Sequence, residues 1–362
     1  MRKTTNLLAL IFVSSLLIFT ACDKEKEIEK EPEVKKSVLP SSFSIDIPSA
    51  ISADFTNRSA NSDTLNGGEI YRHLRGFIRV GEASGQIIEG IINTISVLNI
   101  NQAMNTTYTS NEDNREKTLI VEEGVSFESV SYEFKMTISD TENNKKGLQI
   151  FWNRSPIVGV AIIKPHNINY NNADNHPDAI YRIDYSESGS LGYDKHMAVT
   201  IANRTLNAND IYGLDNLKMF VGKKDDIVEV YGNSNHPNAE FFSNDETGFD
   251  WAFVAASNRL LNIGVAEVGL PPNTLNSEDR TVILVDNAIK TVFNNQISNL
   301  GYEQEDIDRY LYNTDAPGYF NNGGFVQGGT APSADYSEIE NKILNLKPYN
   351  PMNINNLSIS FQ

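Results

Sequence analysis

Residues Val130–Ile138 read VSYEFKMTI, and this stretch decides the fold class. Val130, Tyr132, Phe134, Met136 and Ile138 alternate with Ser131, Glu133, Lys135 and Thr137. Successive side chains of a strand point to opposite faces, so this period of two predicts a strand with one wet face. Working outward, similar runs follow at Leu148–Asn153, Val158–Lys164, Ala179–Ser186, His196–Asn203, Leu217–Gly222, Ile227–Gly232 and Asp250–Ala256, separated by clusters of Asn, Asp, Gly and Pro. Most of the connections are too short for crossover helices, which makes the strands antiparallel neighbours in a meander. The expected fold is α+β and mainly β: a long curved antiparallel sheet, with a half-barrel as its curled form.

A one-sided sheet needs a cover. From Gly68 to Met104 the apolar residues Ile70, Leu74, Phe77, Ile78, Ile88, Ile91, Ile92, Ile95 and Leu98 fall at helical spacing. They predict an N-terminal apolar helix, or a helix pair broken near Gly81 to Gly85. Gly76, Gly81, Gly85 and Gly90 each cost up to about 1 kcal/mol relative to alanine in a helix interior, so they require a break or a close approach to the sheet. Helical texture returns at Arg280–Asn294 and Glu303–Tyr312 as a C-terminal helical segment. Asp315–Ala334 reads as a long loop, and Asn356–Phe361 as a last strand. Residues 46–362 therefore form one globular body: helical over 46–105, antiparallel β over 117–270, helices and a long loop over 271–362.

With 362 residues, 40% hydrophobic and 21% charged, the chain can bury a sizeable core. A net charge of −17 excludes duplex nucleic acid as a partner, which needs a basic face to displace counterions. Cys22 is the sole cysteine, so the chain has neither an intramolecular disulfide nor a zinc site of several thiolates.

The amino terminus carries the strongest signal. Arg2 and Lys3 precede the apolar run Leu7–Phe19, followed by the small residues Thr20 and Ala21 and then Cys22. That is the layout of a cleaved secretory signal, too short for a comfortable membrane span. The stretch LIFTAC (17–22) resembles the lipobox of bacterial lipoproteins, with Phe19 in place of the more usual Leu. The resemblance implies cleavage between Ala21 and Cys22, with Cys22 as the lipidated first residue of the mature chain. Residues 1–21 are then a signal peptide. Residues 22–45 are a charged tether that opens CDKEKEIEKEPEVKK, with too few apolar residues to bury. Its Cys-Asp-Lys-Glu start resembles the export signal that sends Bacteroidota lipoproteins to the outer face of the outer membrane, and Asp63-Thr64-Leu65 resembles a short O-glycosylation motif of the same phylum. Removing Arg2 and Lys3 changes the net charge from −17 to −17 − 2 = −19. The expected location is the cell outer membrane, facing the exterior, with the membrane held through acyl chains that anchor an acidic body.

Chemistry-bearing patterns are few. The chain has no phosphate-binding glycine loop, His-Glu-x-x-His, Gly-x-Ser-x-Gly or dinucleotide fingerprint. Hard cations want oxygen ligands, so calcium is the one cofactor the loops suggest: Asp174, Asn175 and Asp178 form one group, and Asn244, Asp245, Glu246 and Asp250 another. No other cofactor is required. Aromatic faces beside Asn and Asp suit sugar rings, and Tyr310, Tyr312, Tyr319, Phe320 and Phe325 supply them in YLYNTDAPGYFNNGGF. The reading favours binding over catalysis: an interaction module for a glycan, an apolar ligand or a partner protein. The alternatives are a hydrolase using scattered carboxylates and histidines, and a carrier resembling the open half-barrels that hold acyl chains between sheet and helix. For catalysis, two carboxylates, or His176 with His236 and an acid, must converge.

DNHPDA (174–179) and SNHPNA (234–239) share Asn-His-Pro. Proline pushes the residue before it into extended conformation and fits the second position of a turn. The flanking residues do not match at the same offset, so one turn solution used twice is favoured over a shared ligand site. A shared site would need both imidazoles at one end of the sheet and within ligand reach.

Overall fold

The computed structural model describes residues 48–52, 65, 67–97, 102–171, 176–204, 213–239 and 248–362. The signal peptide, Cys22 and the whole tether lie outside the described residues, as do Asp63, Thr64, Asp174, Asn175, Asn244, Asp245 and Glu246. The body is mainly β. Among the described residues a single sheet of 13 strands runs in strict sequence order, with every neighbouring pair antiparallel and the two edge strands unpaired with each other. The strands are β1 (Met104–Thr109), β2 (Glu116–Phe127), β3 (Val130–Asp140), β4 (Lys146–Arg154), β5 (Ile157–Ile163), β6 (Ile180–Ser186) and β7 (Lys195–Ala202). They continue as β8 (Leu217–Lys224), β9 (Ile227–His236), β10 (Phe249–Asn258), β11 (Ile263–Gly269), β12 (Gly318–Asn321) and β13 (Gly324–Gly328).

The opening stretch lies in β3. Tyr132, Phe134 and Met136 are buried while Glu133 and Lys135 are half-buried. Its register sets Phe134 opposite Trp152 and Met136 opposite Ile150, so large apolar side chains meet across the ladder. Val130 at the strand start is exposed.

Among the described residues a short helix and a long one precede the sheet: α1 (Ser49–Ser52) and α2 (Gly67–Val97). The second is one continuous helix of 31 residues, which resolves the expected choice between one helix and two. Ile70, Tyr71, Leu74 and Ile78 on it share a core with Leu119 of β2, Trp152 of β4, Val199 of β7, Phe253 of β10 and Phe320 of β12. Each large side chain removed from water there contributes roughly 1.5–3 kcal/mol. The glycines correct the expectation of close approach. A Cβ built at Gly76 or Gly85 meets nothing within 4 Å, so neither is required by packing.

The expected wet face is also corrected. Neighbouring residues of β10 divide between two cores: Phe253 and Ala255 face α2, while Ala252, Val254 and Ala256 face the other way. That outer side of β10 and β11 is covered by Tyr336, Ile339, Ile343 and Leu346, from α6 (Ser337–Ile343) and its flanks. Further along the same outer face, over β4 to β6, Phe151, Val160, Ile162 and Ile180 are covered by Leu357, Ile359 and Phe361. The segment 356–361 is therefore not a last strand. It lies on the sheet face, with the Gln362 N–H donating to Gln149 Oε1 at 2.7 Å and Gln362 Nε2 donating to the Ser126 carbonyl at 2.8 Å.

Three further expectations shift. The 280–294 segment is a π-helical turn, Thr281–Val285, followed by helix α4 (Ile289–Asn299), with α5 (Gln304–Tyr310) next. The expected loop 315–334 contains the β12–β13 hairpin. The stretch expected to be helical to residue 105 ends inside β1.

Candidate functional site

The two rims of the sheet differ in their connections. At one rim the strands are joined by two residues at 128–129, 155–156, 225–226 and 322–323, and by 259–262 and 187–194. At the opposite rim the connections are 110–115, 141–145, 164–179, 203–216, 237–248 and 270–317. Strand order and antiparallel pairing put the four longest connections, 164–179, 203–216, 237–248 and 270–317, on one side. Loops held by a rigid scaffold are where binding residues concentrate, so the long-loop rim is the candidate face.

A cavity of about 710 Å³ opens there, lined by Lys145 and Lys146, by Lys164, His166 and Asn167, by Pro177 and Asp178, and by Ile359 and Phe361. This volume lies in the usual ligand-site range of about 300–1,000 Å³. A second cavity of about 420 Å³ adjoins it through Lys164 and Asp178 and reaches Asn203 and Asp215. Three lysines face one aspartate in the first cavity, a local balance of +3 − 1 = +2 within a chain of net charge −17.

Local chemistry explains each wall. In the β3–β4 turn the Asn144 N–H donates to the Asp140 carbonyl at 2.9 Å, and Asn144 adopts φ 57°, a left-handed conformation asparagine tolerates. The β1–β2 turn repeats this solution: the Asn114 N–H donates to the Ser110 carbonyl at 2.9 Å, with Asn114 at φ 55°. After β5, Pro165 starts the four-residue helix α3 (Pro165–Ile168), and the Lys164 N–H donates to the Gly147 carbonyl at 2.8 Å. Gly147 is needed for this approach, since a Cβ there would sit 2.8 Å from Ile168 Cγ1. The Asn-His-Pro turn then brings Pro177 and Asp178 to the rim, closed by the Ala179 N–H donating to the His176 carbonyl at 3.1 Å.

A buried ion network holds these walls together. Lys117 Nζ donates to Asp113 Oδ2 at 2.9 Å and to Asp140 Oδ2 at 3.1 Å, and all three side chains are at most 2% exposed. Arg115 grips Asp140 with Nε at 2.6 Å and Nη2 at 2.8 Å. The Tyr170 ring lies over Arg115 at 4.4 Å and Lys117 at 4.9 Å, and the Tyr170 N–H donates to Asp113 Oδ2 at 3.1 Å. Asn167 Nδ2 donates to the Lys146 carbonyl at 2.8 Å. The network thus ties the β1–β2 turn, the β3–β4 turn and the 164–171 segment into one unit. The Arg115 guanidinium, with Lys117 beside it, holds the Asp140 carboxyl well below the usual range. Burial would raise Asp113, but the Lys117 ammonium, the N–H groups of Tyr170 and Arg115 and the Ser110 hydroxyl together hold it low.

The residues expected to form sites are dispersed. Tyr319 and Phe320 are adjacent on β12 and buried on opposite faces of the sheet. Phe325 packs on Tyr71, Tyr310 is partly buried against the α2 side of the core, and Tyr312 is exposed. The five aromatics do not share one surface, because strand alternation splits them. Asp250 is fully buried at the start of β10, where Asn235 Nδ2 donates to its Oδ1 at 3.3 Å. Burial pushes its carboxyl up to about 8, so at neutral pH it is mostly an uncharged acid. Asp178 lines the cavities and meets Lys164 at 3.5 Å. Among the described residues, no group of three His, Cys, Asp or Glu is arranged to hold a metal ion.

Both Asn-His-Pro turns sit on the long-loop rim and close alike, the second through the Ala239 N–H donating to the His236 carbonyl at 3.2 Å. Their imidazoles take different partners. His176 Nε2 lies 3.1 Å from Arg204 Nη2, and His236 Nε2 lies 2.8 Å from Ser234 Oγ. Three strand spacings, about 14 Å, separate β6 from β9, which keeps the rings beyond ligand reach of each other. The repeated motif is one turn used twice.

Sequence reasoning did not single out Lys145, Lys146 or Lys164. The Lys145-Lys146 pair in an acid-rich chain was the available signal. No protein-family model matches the chain, and no curated protein or solved structure is significantly similar to it.

Proposed function

We propose that the protein is a lipid-anchored binding module of the outer membrane, exposed to the exterior, which offers its long-loop rim to a glycan or protein partner. The observation that carries this reading is where the chain enters the body. The Ala50 N–H of α1 donates to Asn262 Oδ1 at 3.0 Å, and Ile51 packs at Gly264. Asn262 belongs to the 259–262 turn of the tight-turn rim. The first described residues therefore sit at one rim and the cavities open at the other, an arrangement that supports a candidate face turned away from an acyl anchor on Cys22. No helix among the described residues is long and apolar enough to cross a membrane. An apolar cargo between sheet and helix has less support, because Ile70, Tyr71, Leu74 and Ile78 of α2 sit in a packed core.

The anchor is tested by replacing Cys22 with Ala in the producing cell, with fatty-acid labelling and protease shaving of intact cells as readouts. Loss of the label and of shaving at the surface is expected. Unchanged labelling and shaving would refute the location. Binding is tested with the full-length lipidated protein on arrays of neutral and charged glycans and of surface proteins, where absence of any specific ligand would count against a binding module.

A further inference from the structure

We infer that the cavity between the β3–β4 turn, α3, the first Asn-His-Pro turn and the C-terminal segment binds an oligosaccharide bearing carboxylate or sulfate groups. The inference rests on the binding-module reading and names its ligand class. The fold leaves positive charge at this cavity without close carboxylate partners. The acids nearest the β3–β4 turn are already held: Asp140 by Arg115 and Lys117, Asp113 by Lys117, and Glu142 by Arg115 at 2.8 Å. Among the described residues Lys145 has no carboxylate within 4.0 Å. Lys146 is already held by a terminal oxygen of Gln362, whereas Lys164 meets Asp178 only at 3.5 Å, with that carboxylate 69% exposed, so Lys145 and Lys164 carry the charge the fold leaves open. An acidic protein has no solubility reason to gather three ammonium groups around one cavity. Lys145 ends the β3–β4 turn, Lys146 opens β4, and Lys164 follows the neighbouring strand β5, its N–H donating to the Gly147 carbonyl at 2.8 Å, so the meander brings the three ammonium groups to one stretch of the rim.

The rest of the lining favours a saccharide. Asn144 and Ser360 offer hydrogen-bonding groups for hydroxyls, while Pro177 and Phe361 offer apolar faces to sugar C–H groups. A cavity of about 710 Å³ with an adjoining one of about 420 Å³ makes a groove for a short chain rather than a pocket for one ring. The remaining body, net negative, repels a dense polyanion and tolerates one whose charges are spaced by neutral hydroxylated rings.

The test is calorimetric titration of the full-length lipidated protein in detergent with four probes: an oligogalacturonate, a heparin-derived hexasaccharide, a neutral galacto-oligosaccharide and poly-glutamate. The carboxylated or the sulfated probe should bind at least about tenfold more tightly than the neutral one, and weaken as salt rises from about 50 to 300 mM. Lys145→Gln combined with Lys164→Gln should weaken that binding by at least about tenfold, and Lys347→Gln, an exposed lysine elsewhere, should leave it unchanged. Circular dichroism of the double variant should match the parent. Neutral binding equal to anionic, unmoved by the lysine changes, would overturn the inference and leave the binding-module reading standing. Capture of poly-glutamate without saccharide would overturn it in favour of an acidic protein partner. Silence of every probe at about 1 mM overturns it outright, and the protein arms of the arrays above then decide the binding-module reading separately.

Discussion

The two rims of the sheet are built from the same strands, yet they are specified in different ways. At the tight-turn rim, Glu128 and Ser129 both take positive φ, 48° and 68°, the requirement of the two-residue turns that match strand twist. Everything needed to form such a turn is carried by a few consecutive residues. At the long-loop rim the connections are shaped from afar: Lys117 reaches across to Asp140, and Tyr170 reaches back to Asp113. One rim is set by local backbone chemistry and the other by a buried ion network.

That contrast can be broken most forcefully at Lys117. Lys117→Met leaves Asp113 and Asp140 buried with one cation fewer, and removing one partner of a buried pair costs roughly 3–5 kcal/mol. Chemical denaturation should show a loss of that size, and hydrogen exchange should show the 164–171 segment opening first. Loss under about 1 kcal/mol would mean the network does not hold the rim. Because both carboxyls sit below their usual range, this contribution is present above about pH 4 and is lost as pH falls further.

Asp250 sharpens the contrast with the opposite sign. Its folded carboxyl is raised to about 8, so between about pH 4 and 8 the unfolded chain is ionised there while the folded one is not. Stability from this residue therefore falls as pH rises through that window. Asp250→Asn should gain about 2–4 kcal/mol at pH 8 and almost nothing at pH 4, read from melting curves over that range. A variant whose pH dependence parallels the parent would contradict the placement.

A smaller effect is expected at Asn144, where Asn144→Ala puts an ordinary side chain in the left-handed region and should cost about 1 kcal/mol in denaturation. The smallest belongs to the tight-turn rim. Arg259 pairs with Asp226 at 3.0 Å, but the two side chains are 44% and 36% exposed, so Arg259→Ala should cost less than about 1 kcal/mol. If it cost as much as Lys117→Met, the rims would not differ as described.

Much of the sheet was legible because alternation is a local property. Val130–Ile138 announced β3, and the runs from Leu148 to Ala256 each fell within a strand or reached at most a residue beyond it. The Asn-His-Pro repeat was legible as a turn for the same reason. The outer cover was not. Leu357, Ile359 and Phe361 alternate as a strand would, and period two does not tell a segment hydrogen-bonded at an edge from one laid across a face. The β12–β13 hairpin hid among Gly and Asn residues that read as loop. Tyr319 and Phe320 looked like neighbours on one binding surface, yet adjacency along a strand places them on opposite faces. The lysines of the cavity come from connections 19 residues apart in the chain, from Lys145 to Lys164, and only the meander brings those connections to one rim.

The long-loop rim is the proposed binding face. Hydroxyl-radical footprinting of the full-length lipidated protein, with and without the oligogalacturonate or the heparin fragment, tests it most directly. Protection confined to 144–146, 164–167, 177–178 and 359–361 is predicted. Protection centred on 225–226 and 259–262, or no protection at a bound ligand's saturation, would contradict it.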